Sequence, residues 1–241
     1  QSLFYSSFLS DSLFNTDGLK TQRLDRLRVG LRLNKFSTVK NLFAQVNFLL
    51  SCHRNNGRDV DARKPAKHRA FNYGIYSAGR VALQSGISLP DCRIAYVTHG
   101  RLNAAKDNVV VFPSRYAGTH ADQTYLIGPG KALDPEQYFI VCVNMLGGGL
   151  SSSPSNTARP LSGPDFPLVT QYDNVVLQER LLREVFGVTQ IKLVCGWSMG
   201  GQQAFQWASL FPDRVAAMAC FCGQGTTAPH THVFLEGVKQ G

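Results

Sequence analysis

The stretch from Ile191 to Leu210, IKLVCGWSMGGQQAFQWASL, carries the strongest structural signal in the chain. Its first residues, Ile191–Cys195, form an apolar run typical of a buried strand, and a helical pattern follows until Pro212 ends it. Between them lies the sequence GWSMG centred on Ser198, a G-x-S-x-G motif in a strand–turn–helix context. This context predicts a serine presented on a sharp turn above the carboxyl edge of a sheet.

Two glycines flank this serine for a steric reason. A strained turn brings the helix and the strand together, so Gly196 and Gly200 must lack side chains. The hydroxyl of Ser198 is then presented as a nucleophile, and the amide of Met199 points at the oxyanion that develops when the serine attacks a carbonyl. The alternative is a chance glycine–serine turn, but the strand before it and the helix after it favour the nucleophile.

Short β-branched runs alternate with helical patterns from Phe71 onward, which is typical of βαβ units on a parallel sheet. The segment Asp173–Phe186 predicts a crossover helix that ends at Gly187. Its apolar stripe is Val176, Leu177, Leu181, Leu182 and Val185. The fold class is therefore α/β, with a mostly parallel central sheet flanked by helices. The predicted strands are Arg93–Thr98, Asn108–Pro113, Tyr138–Asn144, Ile191–Cys195 and Val215–Phe221.

Further motifs accompany the serine turn in a fixed order. They are IGPGKALD (127–134), NMLGGGLSSSP (144–154), FP (166–167) followed by DNV (173–175), and GWSMGGQQAFQWA (196–208). With these motifs, residues 71–241 resemble the homoserine O-acetyltransferase (MetX-like) family of α/β-hydrolases, as a side branch. The resemblance implies an α/β-hydrolase fold and an acyl-enzyme on Ser198. It also implies acetyl-CoA as co-substrate, a small alcohol as acceptor and no bound cofactor.

The same resemblance implies a second donor for the oxyanion hole, from the loop after the preceding core strand. That loop is Pro113–His120, and the amide of Tyr116 is the candidate. Many acetyltransferases of the family have a histidine-and-leucine version of this loop, from which Ser114 and Tyr116 depart. The reaction is left open between O-acetyl transfer to an alcohol and ester hydrolysis by water. The complete protein is expected to act on a small-molecule ester or acyl-CoA, as a homodimer.

A serine nucleophile needs a base and an acid that orients the base. In α/β-hydrolases both of these residues follow the serine in the chain, with the Asp or Glu before the His. Here only 43 of the 241 residues follow Ser198. Asp213 is expected on the surface at a helix end. His230 and His232 are expected on a loop that, by the resemblance, leads to the family's helical cap, with a structural role preferred and that of the general base as the alternative. We therefore expect an incomplete fold, with later strands and cap missing, that is inactive by itself. A non-catalytic scaffold is the other class of function that fits.

The net charge of +9 is concentrated in the N-terminal part of the chain. Residues 1–70 have 13 Lys and Arg against 5 Asp, whereas residues 71–241 have 12 basic and 11 acidic residues. We interpret 1–70 as a poorly ordered basic extension, with a mitochondrial transit peptide as the alternative. Its basic residues are not interleaved with stacking aromatics, which argues against nucleic-acid binding. Residues 71–241 are expected to form the N-terminal part of an α/β-hydrolase domain.

Membrane, metal and nucleotide functions lack their sequence signals. No stretch approaches the ~18 apolar residues of a membrane-spanning helix. The six cysteines form no C-x-x-C pair, so we expect no metal site and a reduced, cytoplasmic protein. Four of them lie in apolar runs and are expected to behave as small hydrophobes, namely Cys142, Cys195, Cys220 and Cys222. The glycine-rich stretches at Gly130 and at 147–149 do not match phosphate-binding motifs and predict turns.

Overall fold

The computed structural model describes residues 73–240, so the extension predicted for residues 1–70 lies outside the described residues. The strands are β1 (Gly74–Ala82), β2 (Ser88–His99), β3 (Val109–Pro113), β4 (Phe139–Val143), β5 (Leu193–Trp197) and β6 (Met218–Phe221). The helices are α1 (Gln171–Phe186), α2 (Met199–Leu210) and α3 (Pro229–Gln240), with 3₁₀ helices at His120–Leu126 and Gly163–Asp165.

The strands form one sheet in the order β1-β2-β4-β3-β5-β6. The last four strands of this order run parallel, whereas β2 is antiparallel to both β1 and β4. This confirms the predicted α/β fold with a mostly parallel sheet flanked by helices. Each of the five predicted strands is present with shifted ends; β5, for example, extends through Gly196 to Trp197.

Strand β1 is not among the strands predicted from the sequence. Its sequence, GIYSAGRVA, mixes glycine and polar residues and alternates only in part. Its pairing with β2 is also irregular, because the register shifts on both sides of Gly79, where the chain adopts a φ of 65°. Irregularities of this kind interrupt the period of two on which a sequence-based prediction depends.

The core lies on both faces of the central strands. Every residue of β3 and β4 is buried. Val109 and Val111 pack in the layer that contains the buried side chains of α1 and α2, whereas Val110 and Phe112 pack on the opposite face with Leu126. Parallel strands covered on both faces are expected to be continuously apolar, as these are.

Helix α1 is the predicted crossover helix. It is preceded by Thr170, whose side chain and that of Asp173 form a capping box, and it ends at Gly187 with a φ of 60°. The predicted stripe is wrong at Val185, which is 43% exposed, while Val175 is buried in its place. The error arises because Val175 and Val185 both fit a helical period with the rest of the stripe. Which of the two is buried depends on the elements that pack against the helix.

The C-terminal segment corrects a second prediction. His230 and His232 lie in α3 and not on a loop, and both are exposed. The helix also exposes Val233, Phe234, Leu235 and Val238. In residues 73–240, no helix is both long and apolar enough to cross a membrane.

Candidate active site

Ser198 occupies the turn between β5 and α2. Its φ of 54° and ψ of −121° form a conformation that a residue with a Cβ rarely adopts. Its backbone N–H donates to Phe221 O over 2.7 Å, and its carbonyl accepts from Gln202 N over 3.0 Å. The strained turn is therefore held by hydrogen bonds to β6 on one side and to α2 on the other.

The glycines of this turn allow backbone segments to touch. A Cβ on Gly196 would lie 2.1 Å from Gly200 O, and a Cβ on Gly200 would lie 2.7 Å from Pro113 O. A Cβ on Gly201 would lie 3.0 Å from Gly196 O. Each close contact is with backbone, which cannot move aside as a flexible side chain can. We refer to residues 196–201 as the serine turn.

A second segment reaches the same edge of the sheet. β3 and β5 are parallel neighbours, so their carboxyl ends lie side by side. Residues 114–119, here called the β3 loop, follow β3 and lead into the 3₁₀ helix that begins at His120. The contact between Gly200 and Pro113 O places this loop next to the first turn of α2. The predicted donors, the amides of Met199 and Tyr116, thus belong to adjacent segments.

The β3 loop is fixed at its start by Ser114, which is 1% exposed. Its backbone N–H donates to Val143 O over 2.8 Å, and its Oγ accepts from Met145 N over 3.0 Å. Its carbonyl accepts from Gln203 Nε2 over 3.0 Å. Three neighbouring elements, namely the end of β4, the segment after β4 and α2, therefore hold this one residue.

The loop is also fixed at its end. Thr119 and Asp122 form a capping box, and the backbone N–H of His120 donates to Asn144 Oδ1 over 2.9 Å. Gln123 Nε2 donates to the carbonyls of the last two residues of β3, Phe112 and Pro113, over 2.9 and 2.7 Å. Between these anchors the tip is open to solvent, and the side chain of Tyr116 is 51% exposed.

Within residues 73–240, no hydrogen bond joins the Ser198 hydroxyl to a base. The Ser198 side chain makes no capping hydrogen bond in α2, and the two histidines that follow it, His230 and His232, are exposed in α3. Asp213 is exposed and precedes β6, which runs parallel to β5, so it lies at the opposite edge of the sheet from Ser198. The expectation that Asp213 is a surface residue is confirmed.

Thiols around the site differ in exposure. Burial raises the pKa of the Cys195 thiol to about 12 and also raises that of Cys142, so both remain protonated and behave as apolar groups. Cys222, in contrast, is exposed directly after β6, which corrects the expectation of a small hydrophobe at that position. Among residues 73–240 there is no cluster of metal-ligating side chains.

The glycine-rich stretches form turns. Asp134 accepts hydrogen bonds from Glu136 N over 3.0 Å and from Gly130 N over 2.8 Å, and these bonds hold the pKa of its carboxyl below the ordinary value. Gly147 N donates to Ser152 O over 2.9 Å. The amides of Gly130 and Gly147 are therefore bonded within their own turns.

Sequence reasoning missed the polar side chains that support the site. Gln178 and Gln203 are fully buried in α1 and α2, and Asn144 is buried directly after β4. Each of these side chains contacts residues far away in the sequence. The sequence feature that could have indicated such a residue is a polar side chain on the apolar face of a helix, as at Gln178, which directly follows Leu177.

Comparison with known proteins identifies the fold family. Residues 108–240 match the alpha/beta hydrolase fold family. This chain is therefore a member of that family. An acetylester hydrolase of known structure from Corynebacterium glutamicum is 43% identical with a TM-score of 0.68, and the match covers 70% of this chain and 49% of that chain.

Two curated relatives represent the two activities that the sequence left open. The ethyl acetate hydrolase of Pseudomonas veronii is 42% identical over 165 residues, which are 68% of this chain and 47% of that protein. A homoserine O-acetyltransferase from Symbiobacterium thermophilum is 36% identical over 177 residues, 66% of this chain and 46% of that protein. The chain spans about half the length of these relatives, and its identity to the hydrolase exceeds its identity to the transferase.

Proposed function

We propose that this chain carries the nucleophile of a serine ester hydrolase that acts on small acyl esters such as acetates. The observation that carries the proposal is the geometry of Ser198, held at a φ of 54° between β5 and α2. The higher identity to an acetylester hydrolase and an ethyl acetate hydrolase supports ester hydrolysis and a small substrate. Acetyl-CoA is not required in this reaction.

The proposed reaction proceeds through an acyl-enzyme. The Oγ of Ser198 attacks the ester carbonyl, a base takes the hydroxyl proton, and the bond to the alcohol oxygen breaks as that oxygen is protonated. Water then attacks the acyl carbon, the bond between that carbon and Ser198 Oγ breaks, and a proton of the attacking water passes through the base to Oγ as the carboxylic acid leaves. The amides of Met199 and Tyr116 are proposed to stabilise the negative oxygen in both steps. Because no histidine in residues 73–240 is hydrogen-bonded to Ser198, we propose that the base lies outside them.

Acyl transfer to a small alcohol is the second candidate. It is favoured by the motifs shared with homoserine O-acetyltransferases, one of which is 36% identical to this chain. The two reactions share the acyl-enzyme and differ in the acceptor that resolves it. Residues near Ser198 form the acyl-enzyme in both cases, so the distinction must come from a direct test of the acceptor.

The test uses the full-length protein with p-nitrophenyl acetate, ethyl acetate and acetyl-CoA, the last with and without homoserine. We expect acetate release from both esters and a fluorophosphonate adduct on Ser198 by mass spectrometry. Ser198→Ala should lower turnover by about 10⁴-fold or more. The matched control is Ser209→Ala, which changes an exposed serine of the same helix.

Each alternative has a distinct result. CoA release that depends on homoserine, without ester hydrolysis, would replace the hydrolase with the transferase. No adduct on Ser198 and no turnover of any substrate would favour the non-catalytic scaffold. Equal activity of Ser198→Ala and the wild type would reject Ser198 as the nucleophile.

A further inference from the structure

A chain of buried hydrogen bonds connects α1 and α2 to the β3 loop. Trp207 Nε1 donates to Gln178 Oε1 over 2.8 Å, and Gln178 Nε2 donates to Gln203 Oε1 over 2.6 Å. Gln203 Nε2 then donates to Ser114 O over 3.0 Å and to Met199 O over 3.4 Å. The side chains of Trp207, Gln178 and Gln203 are at most 1% exposed.

The direction of this chain is fixed by its first member. An indole N–H only donates, so Trp207 must face the oxygen of Gln178. The amide nitrogen of Gln178 then faces Gln203, whose oxygen must accept, and the nitrogen of Gln203 is left to donate towards Ser114 and Met199. Each amide thus has one orientation in which every hydrogen bond is made. Reversing either amide would place two donors or two acceptors against each other.

The two carbonyls that accept from Gln203 belong to the two segments of the proposed oxyanion hole. Met199 is the first residue of α2, and Ser114 begins the β3 loop, two residues before Tyr116. A single side-chain amide therefore ties together the backbone on both sides of the position that the oxyanion would occupy. A displacement of about 1 Å in such a site can lower a rate by about 100-fold.

We propose that Gln203 is a positioning residue that sets the distance between the Met199 and Tyr116 amides, with Gln178 and Trp207 fixing its orientation. The inference rests on the proposed ester hydrolysis. Gln203 does not contact the substrate, and it acts on catalysis through the backbone of Ser114 and Met199. Its removal should therefore impair the acylation step more than substrate binding.

The test is Gln203→Met in the full-length protein, since methionine retains most of the volume and removes the amide. With p-nitrophenyl acetate we expect kcat to fall about 10- to 100-fold while KM changes less than about threefold. Gln206→Met is the matched control, because Gln206 is a half-buried glutamine of the same helix that makes no hydrogen bond to the β3 loop. The control should retain kcat within about twofold. Near-ultraviolet circular dichroism and thermal unfolding establish that each variant is folded.

A second variant distinguishes positioning from general packing. In Gln203→Glu the neutral carboxylic acid can donate to Ser114 O, whereas the carboxylate cannot. The kcat of Gln203→Glu relative to wild type should therefore increase as the pH is lowered, while that of Gln203→Met relative to wild type stays constant. A residue that only fills space would give no such difference between the two variants.

A folded Gln203→Met variant with the kcat of Gln206→Met would overturn the inference, and the proposed hydrolysis would stand because the wild type still turns over the ester. Loss of wild-type activity towards every ester would instead reject the proposed function. If Gln203→Met does not fold, Gln178→Leu decides, because it leaves the contact between Gln203 and Ser114 and removes the group that orients Gln203, together with the acceptor of the Trp207 N–H. A kcat lower by about three- to tenfold then supports the inference, and an unchanged kcat overturns it.

Discussion

The serine turn and the β3 loop meet at the same edge of the sheet but are held in different ways. The serine turn is held by backbone packing, with a Cβ on Gly196 excluded by Gly200 O at 2.1 Å. The β3 loop is held by side chains from elsewhere in the sequence, including Asn144 and Gln203. The serine turn can therefore be recognised from a local sequence motif, although it also contacts Phe221 and Pro113, whereas the anchors of the β3 loop come from distant positions.

The difference implies that the two segments tolerate different substitutions. A side chain introduced at a glycine of the serine turn meets rigid backbone, so the turn itself must be displaced. A polar anchor removed from the β3 loop leaves buried hydrogen-bonding groups unpaired but leaves space for relaxation. We expect the first kind of change to abolish the site and the second to loosen it.

Gly196→Ala is the change with the largest expected effect. The new methyl group would meet Gly200 O and the amide of Gly201, so α2 must move away from β5. We expect loss of ester turnover below detection and a decrease of about 3 kcal/mol or more in the free energy of unfolding. Urea unfolding and p-nitrophenyl acetate hydrolysis measure the two effects.

The matched control is Gly237→Ala in α3, where a Cβ would meet nothing within 4 Å. Alanine in a helix should be neutral or stabilise by up to about 1 kcal/mol, with unchanged activity. If Gly196→Ala retained activity, the close contact between the strand and the helix would not be needed for the site, and the contrast between the two segments would fail.

The sequence allows prediction of those parts of the molecule that depend on local patterns. The parallel strands are continuously apolar, as in VVVFP and FIVCV, and Gly187 ends α1 where the helical pattern stops. The serine turn follows from G-x-S-x-G between a strand and a helix. The irregular β1 does not follow, because its period of two is interrupted at Gly79. The helix at 229–240 is not predicted either, although Pro229 stands at its first position, where proline is common.

The anchors of the β3 loop could not be predicted for a different reason. Ser114 and Asn144 each follow an apolar strand. A polar residue at such a position usually indicates only that the buried strand has ended. Their hydrogen-bond partners depend on the strand order of the sheet, in which β3 lies between β4 and β5. A single sequence gives the strands but not which loops become neighbours, so the hydrogen bonds between those loops appear only in the folded structure.

Asn144→Leu should loosen the far end of the β3 loop. Asn144 Oδ1 accepts from His120 N over 2.9 Å, and Nδ2 donates to Ala95 O over 3.0 Å. The variant removes the acceptor of the His120 N–H, whereas Ala95 O still accepts from the backbone N–H of residue 144, and the loss should cost about 2 kcal/mol of folding stability. We also expect kcat to fall about 10-fold, because the loop that carries Tyr116 loses one of the contacts that fix its far end.

Asn174→Leu separates the two effects. Asn174 is a buried asparagine with comparable backbone hydrogen bonds, from Leu146 N and to Thr170 O, but it does not contact the β3 loop. Urea unfolding should give a similar loss of stability for both variants, whereas the loss of kcat should be confined to Asn144→Leu. Equal kcat values would show that anchoring this end of the loop does not affect the reaction.

The smallest expected effect concerns the backbone strain at Ser198. Because Ser198 has a φ of 54° and a ψ of −121°, glycine should adopt this conformation more readily than alanine. Both variants lack the hydroxyl, so Ser198→Gly should be more stable than Ser198→Ala by about 1 kcal/mol, after allowance for the greater freedom of glycine in the unfolded chain. The opposite sign is expected at Ser209, in the last turn of α2, where glycine should be less stable than alanine by up to about 1 kcal/mol. Urea unfolding of the four variants measures both differences, and the same sign at both positions would mean that the turn stores no strain.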